Sequence, residues 1–133
     1  MKSVSSKITK PIPLGCRLNC IDNSGAKVIE LIAVKGYKGK RRRYPRAGVG
    51  DVIVASVKKG NEKMRHKVVY AAIVRQKKEY RRADGTRIKF TDNAAVIIKP
   101  KKYEPQGSEI RSVIAKEVVE RFSAIGKIAS IVV

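Results

Sequence analysis

The sequence has no tryptophan, two phenylalanines, one histidine and two cysteines in 133 residues. Each scarcity removes a class of chemistry. A structural zinc site takes about four Cys, His or carboxylate ligands in a tetrahedral array, and Cys16, Cys20 and His66 cannot supply them. The two cysteines fall on one face of a stretch that reads as strand, without the spacing of a redox Cys-x-x-Cys pair, and read as buried free thiols. His66, the lone histidine, between Arg65 and Lys67, reads as a surface turn residue, not as a general base. The eleven acids are scattered, with Asp22 and Asp84 in turns, so no two-metal centre is formed. Gly36, Gly39, Gly48 and Gly50 are not followed by Gly-Lys-Ser or Gly-Lys-Thr and make no P-loop. A non-enzyme without a cofactor is expected. The longest apolar run, Val68 to Val74, is far short of the ~20 residues of a membrane span. The first six residues lack the apolar core of a signal peptide, so a cytoplasmic protein with no membrane partner is expected.

What the chain has in excess is positive charge. Thirty-one Lys and Arg against eleven Asp and Glu give a formal net charge of +20, while 43% hydrophobic content argues for a folded chain of one domain's size. The partner of such a surface is a polyanion.

The charge is concentrated. Residues 1–13 are polar and basic and end in Pro11-Ile12-Pro13, which suits an extended arm. Strands are expected over Gly15 to Ile21, Ala26 to Lys35, Asp51 to Val57, Lys67 to Val74 and Ala94 to Lys99, from alternation and β-branched content. Ala26 to Lys35 reads as a strand buried on both faces or as a barrel stave. Between Lys35 and Arg46 lie seven basic residues and no acid, in a glycine-punctuated loop. Arg75 to Lys89 holds seven more against Glu79 and Asp84, around an Asp84-Gly85 hairpin signal. After Gly107 the period shifts toward 3.6: Ile110, Val113, Ile114, Val118 and Phe122 make one stripe, with Ser108 placed to cap and Gly126 to end a C-terminal helix. The last residues, Ile128 to Val133, are too apolar for a free tail and are expected to pack on the core or meet a partner. Short strands followed by one helix suggest an all-β core closed into a small barrel, which leaves no exposed edges. The expected division is an arm at 1–13, a barrel core at 14–103 and a C-terminal helical segment at 104–133.

In most proteins a charge run is a solvated face, but Lys40-Arg41-Arg42-Arg43 repels itself in water, and a phosphate backbone relieves that repulsion while releasing counterions. With so few aromatic rings, base stacking cannot be the main device, and multivalent contact with phosphates of a folded, mostly double-helical RNA fits better. Tyr37 and Tyr44, inside the loop, either contact bases or riboses or simply cover the loop base. Charge alone leaves DNA open, so a DNA-architectural or chromatin-type protein is the rival reading; a small RNA-processing enzyme is a weaker one.

Three blocks carry a family resemblance: Asp22-Asn23-Ser24-Gly25-Ala26, then Ala47-Gly48-Val49-Gly50-Asp51-Val52-Ile53-Val54, then Ala72-Ile73-Val74-Arg75 through Asp84-Gly85 and Phe90 to Asp92-Asn93-Ala94-Ala95-Val96. With their spacing, the chain resembles the universal L-fourteen family of large-subunit ribosomal proteins, in an archaeal-type version. The resemblance implies a five-stranded closed β barrel with a C-terminal helical segment, and a structural role on large-subunit ribosomal RNA. It also implies bridging contacts with small-subunit RNA, neighbours that include large-subunit ribosomal protein three and a small archaeal zinc-ribbon protein, and docking of an anti-association factor on the C-terminal region. Lys40, Arg41, Arg42, Arg43 and Arg46 match the family's basic loop, and Arg75, Lys77, Lys78, Arg81 and Arg82 its basic hairpin. With Lys38, Tyr44, Lys58 and Lys59 they are the expected RNA-contact residues. Asn23, Gly25, Gly85 and Asn93 are expected to hold tight turns. Arg111, Lys116, Glu117, Glu120 and Arg121 are expected to make protein contacts.

Overall fold

Runs of Val, Ile and Ala that alternate in burial bend into staves when every second side chain can share one interior. The computed structural model describes residues 1–133. Its elements are β1 (Ile12–Pro13), β2 (Arg17–Cys20), β3 (Ala26–Val34), β4 (Arg46–Ala47), β5 (Val52–Gly60), β6 (Val68–Arg75), β7 (Tyr80–Arg81), β8 (Arg87–Ile88), β9 (Ala94–Ile98), β10 (Ile110–Ile114), α1 (Lys116–Arg121), α2 (Ser123–Ile128) and β11 (Ala129–Val132). Strands β2, β3, β5, β6 and β9 form a closed five-stranded barrel. All its pairings are antiparallel except the closing one, in which Asn19 and Cys20 run parallel to Ala94 and Ala95. Leu18, Ile29, Leu31, Ile53, Val57, Ile73 and Ile97 fill the interior. Strand β3 is a stave with register shifts rather than a strand buried on both sides: Leu31 is buried, while Ile32 and Ala33 face out.

Register fixes which loops share an end of the barrel. Val34 pairs with Ile53, and Val52 with Ala72, so the loop after β3 and the chain leaving β6 emerge together. There β7 and β8 form the expected hairpin, shorter than the sequence suggested. Gly85 donates its N–H to the Arg82 carbonyl (3.0 Å) and Arg82 donates to Thr86 (2.8 Å). Gly85 at φ +90° supplies the left-handed step that a three-residue hairpin loop needs. Asp84 accepts from the Thr86 hydroxyl (2.7 Å) and N–H (2.9 Å), which holds its carboxyl below the ordinary range.

The arm is extended and lies against this end. Ile12 is buried, and β1 pairs with β4. Thr9 passes so near Gly48 that a β-carbon there would sit 2.8 Å from the Thr9 carbonyl oxygen. The Lys2 N–H reaches the Arg121 carbonyl at 3.2 Å.

The C-terminal segment corrects the expectation of one helix. Ile110 to Ile114 is strand β10, the helical part is split between α1 and α2 at Phe122, and β11 returns parallel to β10. The sequence Ile-Arg-Ser-Val-Ile fits a period of two as well as one of 3.6, and β-branched residues favour the strand. Ser108 caps nothing; its N–H and hydroxyl bond the Asn23 side chain at 2.8 Å each. Gly126 lies inside α2, where a β-carbon would sit 2.6 Å from Val119, so it permits close packing of the two helices. The apolar tail pairs its backbone with β10, while Ile131, Val132 and Val133 stay about half exposed.

Asp22 anchors the first turn. Its carboxylate accepts from Ser24 Oγ (2.6 Å), the Ile97 N–H (3.0 Å) and Cys20 Sγ (3.0 Å). Cys16 and Cys20 are both free and partly buried. Burial, then the neighbouring Asp22 carboxylate, pushes the Cys20 thiol up to about 12. Because the thiolate is the nucleophile, iodoacetamide at pH 8 should label Cys16 well before Cys20, with Cys20 slowed about a hundredfold against denatured chain. Equal labelling of the two in the native protein would contradict this placement.

Candidate nucleic-acid interface

Like charges crowd one end of the barrel because two loops must leave it there, and local hydrogen bonds hold them in shape. In the loop after β3, Lys40 and Arg43 form a bridge, Arg43 N–H donating to the Lys40 carbonyl at 3.0 Å. The Tyr37 hydroxyl donates to the Arg43 carbonyl at 3.1 Å. Lys38, Lys40, Arg41, Arg42, Arg43 and Arg46 are all exposed, and none has an acidic partner. Lys77, Lys78 and Arg81 of the hairpin segment are exposed and unpaired as well. Nine free cations therefore stand at one end of the barrel, where their mutual repulsion would be relieved by a polyanion.

The structure divides the remaining expected RNA-contact residues. Arg75 turns inward: its guanidinium pairs with Asp92 at 3.0 Å and bonds Ser112 Oγ and the Val113 carbonyl, with only 12% of its side chain exposed. Arg82 pairs with Glu117 at 2.7 Å and reaches the Val133 carbonyl at 2.6 Å. These two fasten the C-terminal segment to the barrel and hairpin. Lys58 and Lys59 are exposed but stand near the far end of β5, about 20 Å along the strand from the loop and hairpin. Tyr44 is 80% exposed, whereas Tyr37 is 38% exposed and its hydroxyl is engaged, so the two tyrosines differ in what they can offer a ligand.

Two residues carry weight that the sequence did not reveal. Gln76 is fully buried: its Oε1 accepts the Val49 N–H at 2.9 Å, and its Nε2 donates to Thr9 O at 3.1 Å and Lys78 O at 3.0 Å. One amide thus ties the arm, the Gly48-Val49 turn and the hairpin approach. Lys10, on the arm, stands with Arg42, Arg43 and Arg46 around a pocket of about 570 Å³, beside a loose pair with Asp51 at 3.5 Å. A buried glutamine in a basic run and a lysine in an arm leave no periodic signal.

The C-terminal residues expected to meet a protein also separate. Lys116 and Glu120 are exposed and unpaired. Arg111 is exposed and pairs with neighbouring Glu109 at 3.2 Å. Arg121 is partly buried over the Phe122 ring and against the arm. Glu117, expected to make a protein contact, is instead buried within the chain: it accepts from the Tyr80 hydroxyl at 2.8 Å and from Arg82. Burial, then the hydrogen bond to Glu117, raises the Tyr80 phenol well above its usual value.

The profile described as "Ribosomal protein L14p/L23e" matches residues 11–133. The chain is 52% identical over 132 residues to the large ribosomal subunit protein uL14 of Methanococcus vannielii, covering 99% of each. It is 53% identical over 133 residues to that of Thermoplasma acidophilum, covering 100% of each.

Two substitutions test the geometry. Glu117→Lys places a cation against Arg82 in a dry site and should cost about 3 kcal/mol or more in denaturant unfolding, whereas Glu120→Lys should stay within about 0.5 kcal/mol. Gln76→Leu leaves the Val49 N–H unpartnered and should cost about 2 kcal/mol, with faster hydrogen exchange in the arm as its specific sign.

Proposed function

The chain belongs to the ribosomal protein L14p/L23e family, and from that membership we propose that the basic loop and hairpin bind large-subunit ribosomal RNA through its phosphates. It is a structural protein of the large ribosomal subunit and not an enzyme. The observation that carries the binding mode is the set of exposed, unpaired cations at one barrel end, Lys38, Lys40, Arg41, Arg42, Arg43 and Arg46 beside Lys77, Lys78 and Arg81. Arg forks bind phosphate bidentately, and the rigid barrel sets their spacing so that RNA shape supplies selectivity. Lys58 and Lys59 offer a second, smaller contact at the other end.

The C-terminal segment serves protein contact in this proposal. Strand β11 has one edge unpaired and carries the half-exposed Ile131 and Val132 beside exposed Lys116 and Glu120, features that suit a protein surface better than a phosphate backbone. That is where an anti-association factor would dock, while small-subunit RNA at a bridge, ribosomal protein three and a small zinc-ribbon protein complete the set of partners that the family resemblance suggests.

The test is the salt dependence of binding to large-subunit RNA. Replacing Arg41, Arg42 and Arg43 with Ala should reduce the slope of log affinity against log salt by about 0.7 to 0.9 for each phosphate left without its cation. An unchanged slope would overturn the loop's assignment. Equal binding of the wild-type chain to duplex DNA would favour a DNA-architectural protein.

A further inference from the structure

We propose that the pocket beside the basic loop receives a single unstacked RNA nucleotide, its base against Tyr44 and its flanking phosphates on Lys10, Arg42, Arg43 and Arg46. The inference rests on the RNA-binding reading and deepens it from phosphate neutralisation to the capture of one base. The pocket holds about 570 Å³, within the ordinary range for a site that takes one small ligand and too small for a helix. No acid lines it, and its only aromatic walls are Tyr37 and Tyr44. A site for phosphate alone needs the cations and has no use for the rings. A base presents the complementary flat face, and stacking on an aromatic side chain tolerates any base.

The walls differ in a way that suits this role. Tyr37 is held by its hydroxyl on the Arg43 carbonyl, so that side of the pocket is set before a ligand arrives. Tyr44 is 80% exposed and makes no hydrogen bond or ring contact within the chain, so its face is open. Arg42 sits at φ +66°, a region that side chains other than glycine's rarely adopt, and the Lys40–Arg43 bridge spans it. The loop thus holds a disfavoured backbone step at a residue that lines the pocket together with Arg43 and Arg46. A paired base in an A-form helix cannot reach this concavity, because its faces are covered by stacking neighbours. A bulged or looped-out nucleotide can, with its phosphates still on the rim where the cations stand.

The experiment measures binding of the full-length protein to three RNA duplexes of one sequence: perfectly paired, carrying a single bulged adenosine, and carrying an abasic bulge at the same position. Wild-type protein should bind the adenosine bulge about tenfold more tightly than the abasic one. Tyr44→Ala should abolish that preference; Tyr44→Phe should keep it. Equal affinity for the adenosine and abasic bulges, or a preference that survives Tyr44→Ala, would overturn the nucleotide pocket and leave phosphate binding intact. Failure of the wild-type protein to bind any of the three would overturn the RNA reading itself. Circular dichroism of each variant identifies loss of fold, and a misfolded Tyr44→Ala would leave the comparison of Tyr44→Phe and Tyr44→Leu to decide.

Discussion

The parallel contact of Asn19 and Cys20 with Ala94 and Ala95 closes the barrel, and the placement of charge depends on that closure. A formal net charge of +20 on 133 residues opposes compaction. An open sheet would relax by splaying its loops. In a closed ring each stave is hydrogen-bonded on both sides, and an interior of Leu18, Ile29, Ile53, Ile73 and Ile97 resists that strain. The loops that leave the end of β3 and of β6 are therefore held near each other although both are basic.

Three of the eleven acids each take a cation at a seam of the fold. Asp92 takes Arg75, and Glu117 takes Arg82 with the Tyr80 hydroxyl. Asp51 accepts the Gly48 N–H and steadies Lys10. Each lies between the barrel and something laid on it: the C-terminal segment in the first two cases, the arm in the third. The loop from Lys38 to Arg43 receives no such partner, so its charge remains available to a ligand. Structural and presented cations thus come from the same runs and are separated only by where the acids fall in space.

That separation explains which parts of the molecule could be anticipated from the residues. The five staves follow from β-branched alternation, and the hairpin from Asp84-Gly85, because both signals are local. Arg75 and Arg82 look the same as Lys77 and Arg81 in a basic run, since their partners Asp92 and Glu117 are 17 and 35 residues away. Lys58 and Lys59 join or leave the main face according to strand register, which the sequence does not display. Ile110 to Ile114 satisfies two periods at once, and the choice falls to its pairing with β11 and to the Asp22–Ile110 bridge. Gln76 carries no signal at all; its importance comes from three backbone groups that converge on it.

On the proposed function, this basic barrel end is built for one site on large-subunit ribosomal RNA. Ultraviolet crosslinking in intact cells, with sequencing of the attached RNA and identification of the attached peptides, tests it most directly. Peptides spanning Lys38 to Arg46 and Lys77 to Arg81 should carry crosslinks to a single large-subunit region, with a minor set on small-subunit RNA. Crosslinks spread over many transcripts, or recovery of DNA in their place, would contradict it.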